Sequence, residues 1–356
     1  MPAPSSPQPR RPATQADVAR EVGVSRTLVS FAFRNAPGVS EETRHAIFEA
    51  ARRLGYRPNR IAADLARKRA TTIGLHLLDL HNEVYADIFA GVREALEGSG
   101  VRVILSVGDV RGRGGTDPGD EVGSLLEARV GVVIAATLTG TDASVREAAA
   151  AVPIVSVARR IEGVDSVYSD DAAGARAATG HLLDLGHTRI VHLTGPHWEG
   201  HTERQRAYRE RMHDAGLPPR VLAAPEFTFE AAQAAAARIL DGPDRPTAVF
   251  AHNDQLALGV REAATDLGLR VPEDLSVVGY DDSRIARLAG IRLTSVDLDA
   301  HELGAAAGAA ALARLADPSA PAVDRCSAPR LVVRTSTAPP PGSAREIERC
   351  RAVPHP

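Results

Sequence analysis

From Ile73 onward the chain repeats one pattern, a short apolar run followed by a longer Ala-rich stretch of helical character. The apolar runs are Ile73 to Leu78, Val101 to Val107, Val130 to Ala136, Ile154 to Val157, Ile190 to Leu193, Ala248 to Ala251 and Ser276 to Gly279. Runs of strand length separated by helices predict strands buried on both faces, in parallel sheets built from βαβ units. A chain of 356 residues exceeds the size at which a single core stops growing, so residues 71 to 337 can hold two such lobes. Ligands of open α/β sheets sit beyond the carboxyl ends of the strands. Asp79, Asn253-Asp254 and Asp281-Asp282 occupy such positions, Asp254 reading as a helix cap rather than a ligand contact.

The first seventy residues differ in charge from the rest. They carry 13 Arg or Lys against 6 Asp or Glu, whereas residues 71 to 356 carry 29 against 39, a split hidden by the overall charge of -3. A cationic end suits a polyanion, because each neutralised phosphate releases condensed counterions, and an acidic remainder is repelled by the same duplex.

Within the basic end, Thr14-Gln15-Ala16-Asp17 fits a capping box, and Val18, Ala19 and Val22 follow at helical spacing. Gly23 can close a tight left-handed turn, and Ser25 can cap a second helix through about Phe33, with Leu28, Val29 and Ala32 available for packing. Helix, short turn, helix results, and the second helix of such a unit enters the major groove by its N-terminal residues. Those are Arg26 and Thr27, with Ser30, Phe31 and Arg34 further along. The planar fork of Arg26 matches the O6/N7 edge of guanine, Phe31 can meet a thymine methyl, and Thr27 and Ser30 can bond a base or a phosphate. Phe31 also fits a core position, and Phe33 fits one better. Ser40 starts a third helix with the apolar stripe Ala46, Ile47, Ala50, Ala51 and Leu54, ending at Gly55. A short basic segment with a Pro start follows through Arg69; at about two turns it is marginal as an isolated helix.

The opening Thr14…Asp17-Val18-Ala19…Gly23-Val24-Ser25…Val29-Ser30 and the junction Gly55-Tyr56-x-Pro58-Asn59 with Leu65-Ala66 resemble the lactose-repressor (LacI) family of bacterial transcription regulators. The resemblance runs from about Thr14 to Thr337. Later matches include Asp170…Gly174, Leu185-Gly186-His187-x-Arg189-Ile190, Arg204…Tyr208, Asn253-Asp254, Val271-Pro272-Glu273-Asp274, Gly279-Tyr280-Asp281-Asp282 and Leu293-Thr294. It implies a small all-α helix-turn-helix headpiece plus hinge helix, then an α/β core of two doubly wound parallel-sheet lobes, periplasmic-binding-protein-like. It also implies that two hinge copies become helical side by side on an operator, Leu65 wedging into the minor groove beside the small Ala62. Thr14, Ser25 and Asn59 join the DNA-facing set. By the same resemblance Arg204 and Asp281 form the polar heart of an effector cleft, Asn253 and Asp170 add bonds, and Tyr85 and Phe227 offer aromatic faces to a sugar ring; Phe227 equally fits simple packing. Trp198 lies in a loop of uncertain match. Residues 108 to 120 and the segment His197 to His201 depart from the family's pattern and do not identify the ligand; the resemblance implies a sugar or sugar derivative as effector, with a nucleoside-type or absent effector as the alternative.

Other classes fit poorly. Gly112, Gly114, Gly115 and Gly119 have the wrong spacing for a dinucleotide loop, which argues against an enzyme and against a cofactor. Cys326 and Cys350 make no disulfide framework, and histidines 181, 187, 192, 197 and 201 cross a helix, a strand and a loop without metal-ligand spacing. The start MPAPSSPQPRRPA holds no apolar run and no long apolar stretch follows, so a cytoplasmic protein with no membrane partner is expected, not a secreted solute-binding protein. The expected domains are an arm at 1–12, the helix-turn-helix unit at 13–57, a hinge at 58–70, the core at 71–337 and a disordered tail at 338–356. Within the core, the N-lobe takes 71–168 and 298–324 and the C-lobe 169–297 and 325–337. The expected partners are a second copy of the chain, double-stranded operator DNA of pseudo-palindromic sequence, and the effector. The tail has no leucine heptad, so no coiled-coil tetramer is expected.

Overall fold

The computed structural model describes residues 11, 13–57, 72–108, 121–196 and 202–341. The chain divides into two compact units, residues 1–69 and 70–356.

In the first unit, α1 (Gln15–Val22), α2 (Arg26–Phe33) and α3 (Glu41–Leu54) start where the caps predict. Thr14 and Asp17 form the reciprocal capping box, Ser25 accepts from the Leu28 N–H, and Ser40 accepts from the Thr43 N–H. Gly23 sits at φ 73°, the left-handed region that lets α1 turn directly into α2. Val18, Ala19, Val29, Ala32, Ile47, Ala50 and Ala51 make the core. Two members of the expected α3 stripe, Ala46 and Leu54, point outward instead. A three-helix unit this small buries only a narrow arc of α3, and the arc centres on Ile47. Phe33 packs as core, its ring 5.1 Å from Phe48 and 5.6 Å from Tyr56.

The second unit contains two six-stranded sheets. The first is built from β1 (Thr72–Leu77), β2 (Arg102–Val107), β3 (Val132–Ala136), β4 (Ile154–Val157), β5 (Asp165–Ser169) and a late strand, β11 (Asp324–Ser327). Its order is β11-β5-β4-β3-β1-β2, every pairing parallel. The second holds β6 (Ile190–Thr194), β7 (Arg220–Ala223), β8 (Ala248–Ala251), β9 (Ser276–Tyr280), β10 (Thr294–Asp297) and β12 (Arg330–Val332). Its order is β12-β10-β9-β8-β6-β7, parallel except that β12 runs antiparallel to β10. Helices α4 (Val84–Ala95), α5 (Gly123–Glu127), α6 (Asp142–Ala151) and α12 (Ala300–Ala316) belong with the first sheet. Helices α7 (Asp171–Asp184), α8 (Glu203–Asp214), α9 (Phe229–Leu240), α10 (Asp254–Asp266) and the single turn α11 (Arg284–Arg287) belong with the second.

The seven apolar runs are strands here. Five strands escape that pattern, β5, β7, β10, β11 and β12, because each is polar, short or at a sheet edge. The chain crosses between lobes three times, after Ser169, after Asp297 and after Ser327. The third crossing corrects the expected boundary at residue 324, since Asp324 to Ser327 pair with Ser166 to Ser169 in the first sheet. The start of the expected tail is also corrected. His187 Nε2 and Ser276 Oγ meet the Ala338 carbonyl at 2.8 and 3.0 Å, and the Ala338 N–H returns a bond to Ser276 Oγ. Buried polar groups demand such partners, and residues 338–340 supply them. His187 also meets Thr247, His181 meets Thr337, and His192 meets the Phe250 carbonyl, so these three histidines hold structure.

Candidate functional site

Each unit presents one candidate surface. In the first, α2 leaves Arg26 and Thr27 exposed at its N-terminus, where backbone N–H groups and a cationic fork face outward together. The Gln15 amide holds the Arg26 carbonyl at 3.1 Å, tying the start of α2 to α1. Ser30 and Phe31 are half-buried on the following turn, and the Arg34 guanidinium lies 5.1 Å from the Phe31 ring while its Nε bonds the Ser30 carbonyl. Phe31 is therefore a surface aromatic under a cation and not a core residue. The hydroxyls of Thr14 and Ser25 are engaged as helix caps. Asn59, Ala62 and Leu65, expected in the hinge, lie outside the described residues, as does Trp198.

In the second unit a cleft opens between the lobes at the carboxyl ends of β1, β3, β8 and β9, the position that the topology of open α/β sheets provides. Tyr85, Arg204, Phe227, Asn253 and Asp281 all line it, together with Asp79. Arg204 rises from the first turn of α8, is buried, and lies with its guanidinium carbon 3.6 Å from the centre of the Tyr280 ring. Its Nε and Nη2 donate to the two oxygens of Asp171 at 3.0 and 3.3 Å, and Nη1 donates to the His252 carbonyl at 2.6 Å. Burial opposes the charge of Arg204, yet the carboxylates of Asp171 and Asp281 outweigh burial and hold it cationic. Tyr280 Oη completes the group with a 2.9 Å bond to Asp171. Gly174 makes that bond geometrically available, since a methyl there would sit 2.3 Å from the tyrosine oxygen.

Asp281 follows β9 at φ 99°, with Asp282 at φ 48°, two consecutive non-glycine residues in the left-handed region. Such strain persists only where surrounding contacts over-determine it, and it turns both carboxylates at the strand end. Asp281 is buried, and desolvation, reinforced by Asp254, pushes its carboxyl up to about 8 despite Arg204, 3.9 Å away. Asn82, in the loop after β1, donates to Asp281 at 3.2 Å, and the Glu83 carboxylate accepts from the Ile285 N–H at 2.9 Å. Both bonds join the first lobe to the second at the cleft mouth. Phe227 lies 5.0 Å from the His252 ring, pressed over Gly195, and burial raises the Tyr85 phenol well above its usual range.

Two expectations change. Asp170 does not reach the cleft lining: it is the N-cap of α7, accepting from the Ala173 N–H at 2.8 Å. One residue advances about 100° around a helix, so Asp171 takes the cleft-facing position instead. At β8 the cap is Asn253, whose Oδ1 accepts from the Leu256 N–H, while Asp254 is buried and accepts from Ser283 N–H and Ser295 Oγ at 2.7 and 2.6 Å. Asn253 still lines the cleft. Asp171, Asn82, Tyr280 and Gln255 escaped the sequence reading. Only Asn82 had a local signal, as a polar residue in the loop after a buried strand.

A helix-turn-helix unit and a two-lobed α/β core with a polar cleft at its strand ends define a ligand-sensing, DNA-binding transcription regulator. Residues 14–59 match the model described as bacterial regulatory proteins, lacI family, and residues 179–337 match a periplasmic binding protein-like domain. Catabolite control protein A of Priestia megaterium is 32% identical over 298 residues, covering 82% of this chain and 89% of that protein. The HTH-type transcriptional repressor CytR of Escherichia coli K12 is 30% identical over 304 residues, covering 82% and 86%. Among solved structures, the lac repressor dimer bound to operator and the anti-inducer ONPF aligns with a TM-score of 0.77 at 28% identity, over 92% of this chain and 100% of that one. The CelR–cellobiose complex aligns with a TM-score of 0.66 at 31% identity, over 91% and 99%. The chain belongs to the lacI family of bacterial transcriptional regulators, and it is a regulator rather than an enzyme.

Proposed function

We propose that the protein is a homodimeric repressor that binds a pseudo-palindromic operator through two headpieces and is controlled by a small molecule, a sugar or sugar derivative, in the inter-lobe cleft. Two-fold protein symmetry selects two-fold DNA symmetry. The observation that carries the reading is the cleft itself, where an arginine, carboxylates and aromatic faces converge between lobes joined by three chain crossings. The cellobiose bound to CelR and the ribose bound to an Enterococcus faecium family structure support a carbohydrate. A nucleoside-type effector is the second reading, which operator titration against nucleosides tests. An effector binding between the lobes shifts their angle, and the segment holding Asn59, Ala62 and Leu65 transmits the shift to the operator. Coupling of this kind requires a differential affinity of about 1 to 3 kcal/mol between the two states.

The test begins with selection of duplexes from a randomised pool by the full-length protein, followed by operator titration against sugars and nucleosides. An inverted repeat should emerge, and Arg26→Ala should relax preference at one base pair in each half-site. Retention of random fragments as strongly as any inverted repeat would sink the proposal.

A further inference from the structure

The charges of the cleft point to the class of molecule it admits, an inference that rests on the cleft being the effector site. Among the described residues, the Asp, Glu, Lys and Arg side chains lining it are three acids, Asp79, Asp171 and Asp281, and one base, Arg204. A lone buried arginine would be an anion trap. Here it is not, because Nε and Nη2 face Asp171, Nη1 holds the His252 carbonyl, and one face of the fork lies on Tyr280. Behind Asp281 lies a further buried acid, Asp254, held by Ser283 and Ser295. With Asp281 protonated, the Asp171 carboxylate still occupies Nε and Nη2 of Arg204.

The neutral groups point the same way. Gln255 Oε1 is buried with no hydrogen-bond partner, an acceptor awaiting a donor. The α10 N-terminus is not free for an anion either, since Asn253 already caps the Leu256 N–H.

We infer that the cleft admits hydroxyl-rich effectors that are uncharged or carry an amine, excludes phosphorylated and carboxylated ones, and owes this selection to Asp171, which neutralises Arg204. Hydroxyl and ammonium donors satisfy carboxyl oxygens and Gln255 Oε1, whereas an anion finds the guanidinium already occupied by Asp171 and meets acceptor oxygens in a desolvated site. Asp171 acts through Arg204 and is a positioning residue.

The experiment uses full-length protein and inorganic phosphate as the probe, followed by thermal shift and calorimetry at constant ionic strength. Wild type should show no saturable response beyond a chloride control. Asp171→Asn keeps an oxygen for Tyr280 but releases the charge of Arg204, so it should bind phosphate at least about tenfold more tightly than wild type. Asp171→Asn combined with Arg204→Ala should lose that gain. Saturable phosphate binding to wild type that Arg204→Ala abolishes overturns the inference, as does a folded Asp171→Asn that gains nothing. Should Asp171→Asn fail to fold, wild type decides through operator release by neutral sugars and nucleosides set against their monophosphate esters. Release by any ester overturns the inference, and silence of all the esters upholds it. A protein that ignores every neutral compound yet gains phosphate binding in Asp171→Asn upholds the charge selection while sinking the effector reading.

Discussion

Arg204 shows how one residue can depend wholly on its surroundings. Its charge is tolerable at depth only because Asp171, the His252 carbonyl and the Tyr280 ring replace water around it. Arg204→Ala should leave operator affinity unchanged, abolish the effector response, and destabilise the core by about 2 kcal/mol, because half-buried Asp171 keeps only its bond from Tyr280 Oη. Denaturant unfolding alongside operator titration checks both halves, and a retained effector response would refute the assignment. His76 makes a second residue-scale case. It is fully buried in β1 with neither ring nitrogen hydrogen-bonded, and burial lowers its imidazole from 6.5 to about 4. The unfolded chain takes up a proton near 6.5 that the folded chain refuses until about 4, so this stability is present above 6.5 and is lost as pH falls through that window. Asp281, held near 8, has the opposite sign: the folded chain keeps a proton released by the unfolded chain near 3.8, so its contribution declines as pH rises between those values. His76→Leu should flatten the acid limb between pH 6.5 and 4 by about 1.4 kcal/mol per pH unit, read from unfolding free energies across that range. An unchanged acid limb would show that His76 titrates normally.

Among the elements, the pair α4 and α12 sets how tightly the first lobe is built. Gly91 on α4 and Gly304 and Gly308 on α12 line the seam between the two helices, Gly91 against His301 and Ala305, Gly304 against Ile88 and Gly308 against Ala95. A methyl on Gly91 would fall 1.9 Å from the His301 carbonyl oxygen, and one on Gly304 would fall 2.1 Å from that of Ile88. Backbone carbonyls cannot swing aside as a side chain can, so Gly91→Ala must push the helices apart. The expected cost is about 2 to 3 kcal/mol, despite the gain in helix propensity that the same change gives at an exposed site. Because α4 also carries Tyr85, effector affinity should fall together with melting temperature. A Gly91→Ala protein as stable as wild type would mean that α12 adjusts freely.

For the whole molecule, the proposed homodimer requires a face on which two chains meet. Among the described residues strand β2 is an edge, paired only with β1, and Leu105 and Val107 on it are 45% and 42% exposed. Phe89 and Leu96 from α4 line a groove beside that edge with Leu105. An exposed apolar edge strand is a liability unless something covers it, and a second copy of the chain is the cover we propose. Leu105→Arg should convert a dimer into a 37.5 kDa monomer in sedimentation and weaken operator binding at least about tenfold, since the two headpieces then bind independently. A Leu105→Arg protein that remains dimeric would place the interface elsewhere.

The sequence alone determined whatever local physics dictates. Thr14 with Asp17, Ser25 and Ser40 mark helix starts because a side-chain acceptor three residues ahead of a free N–H is a local event. Six of the seven apolar runs mark buried parallel strands because strands covered on both faces have no polar side, and the seventh, β2, is a half-exposed sheet edge. Polar residues directly after those strands, Asp79, Asn253 and Asp281, reach the cleft because topology places every strand end there. Tertiary structure alone decided what depends on partners distant in the chain. Strand β11 carries a polar sequence and exists through pairing with β5 across more than 150 residues. Asp171 displaced Asp170 because the helical phase of α7 against Arg204 is fixed by packing rather than by either residue's chemistry. Asn82 reached Asp281 across 199 residues. Three chain crossings bring the two lobes together there, and no local pattern records that meeting.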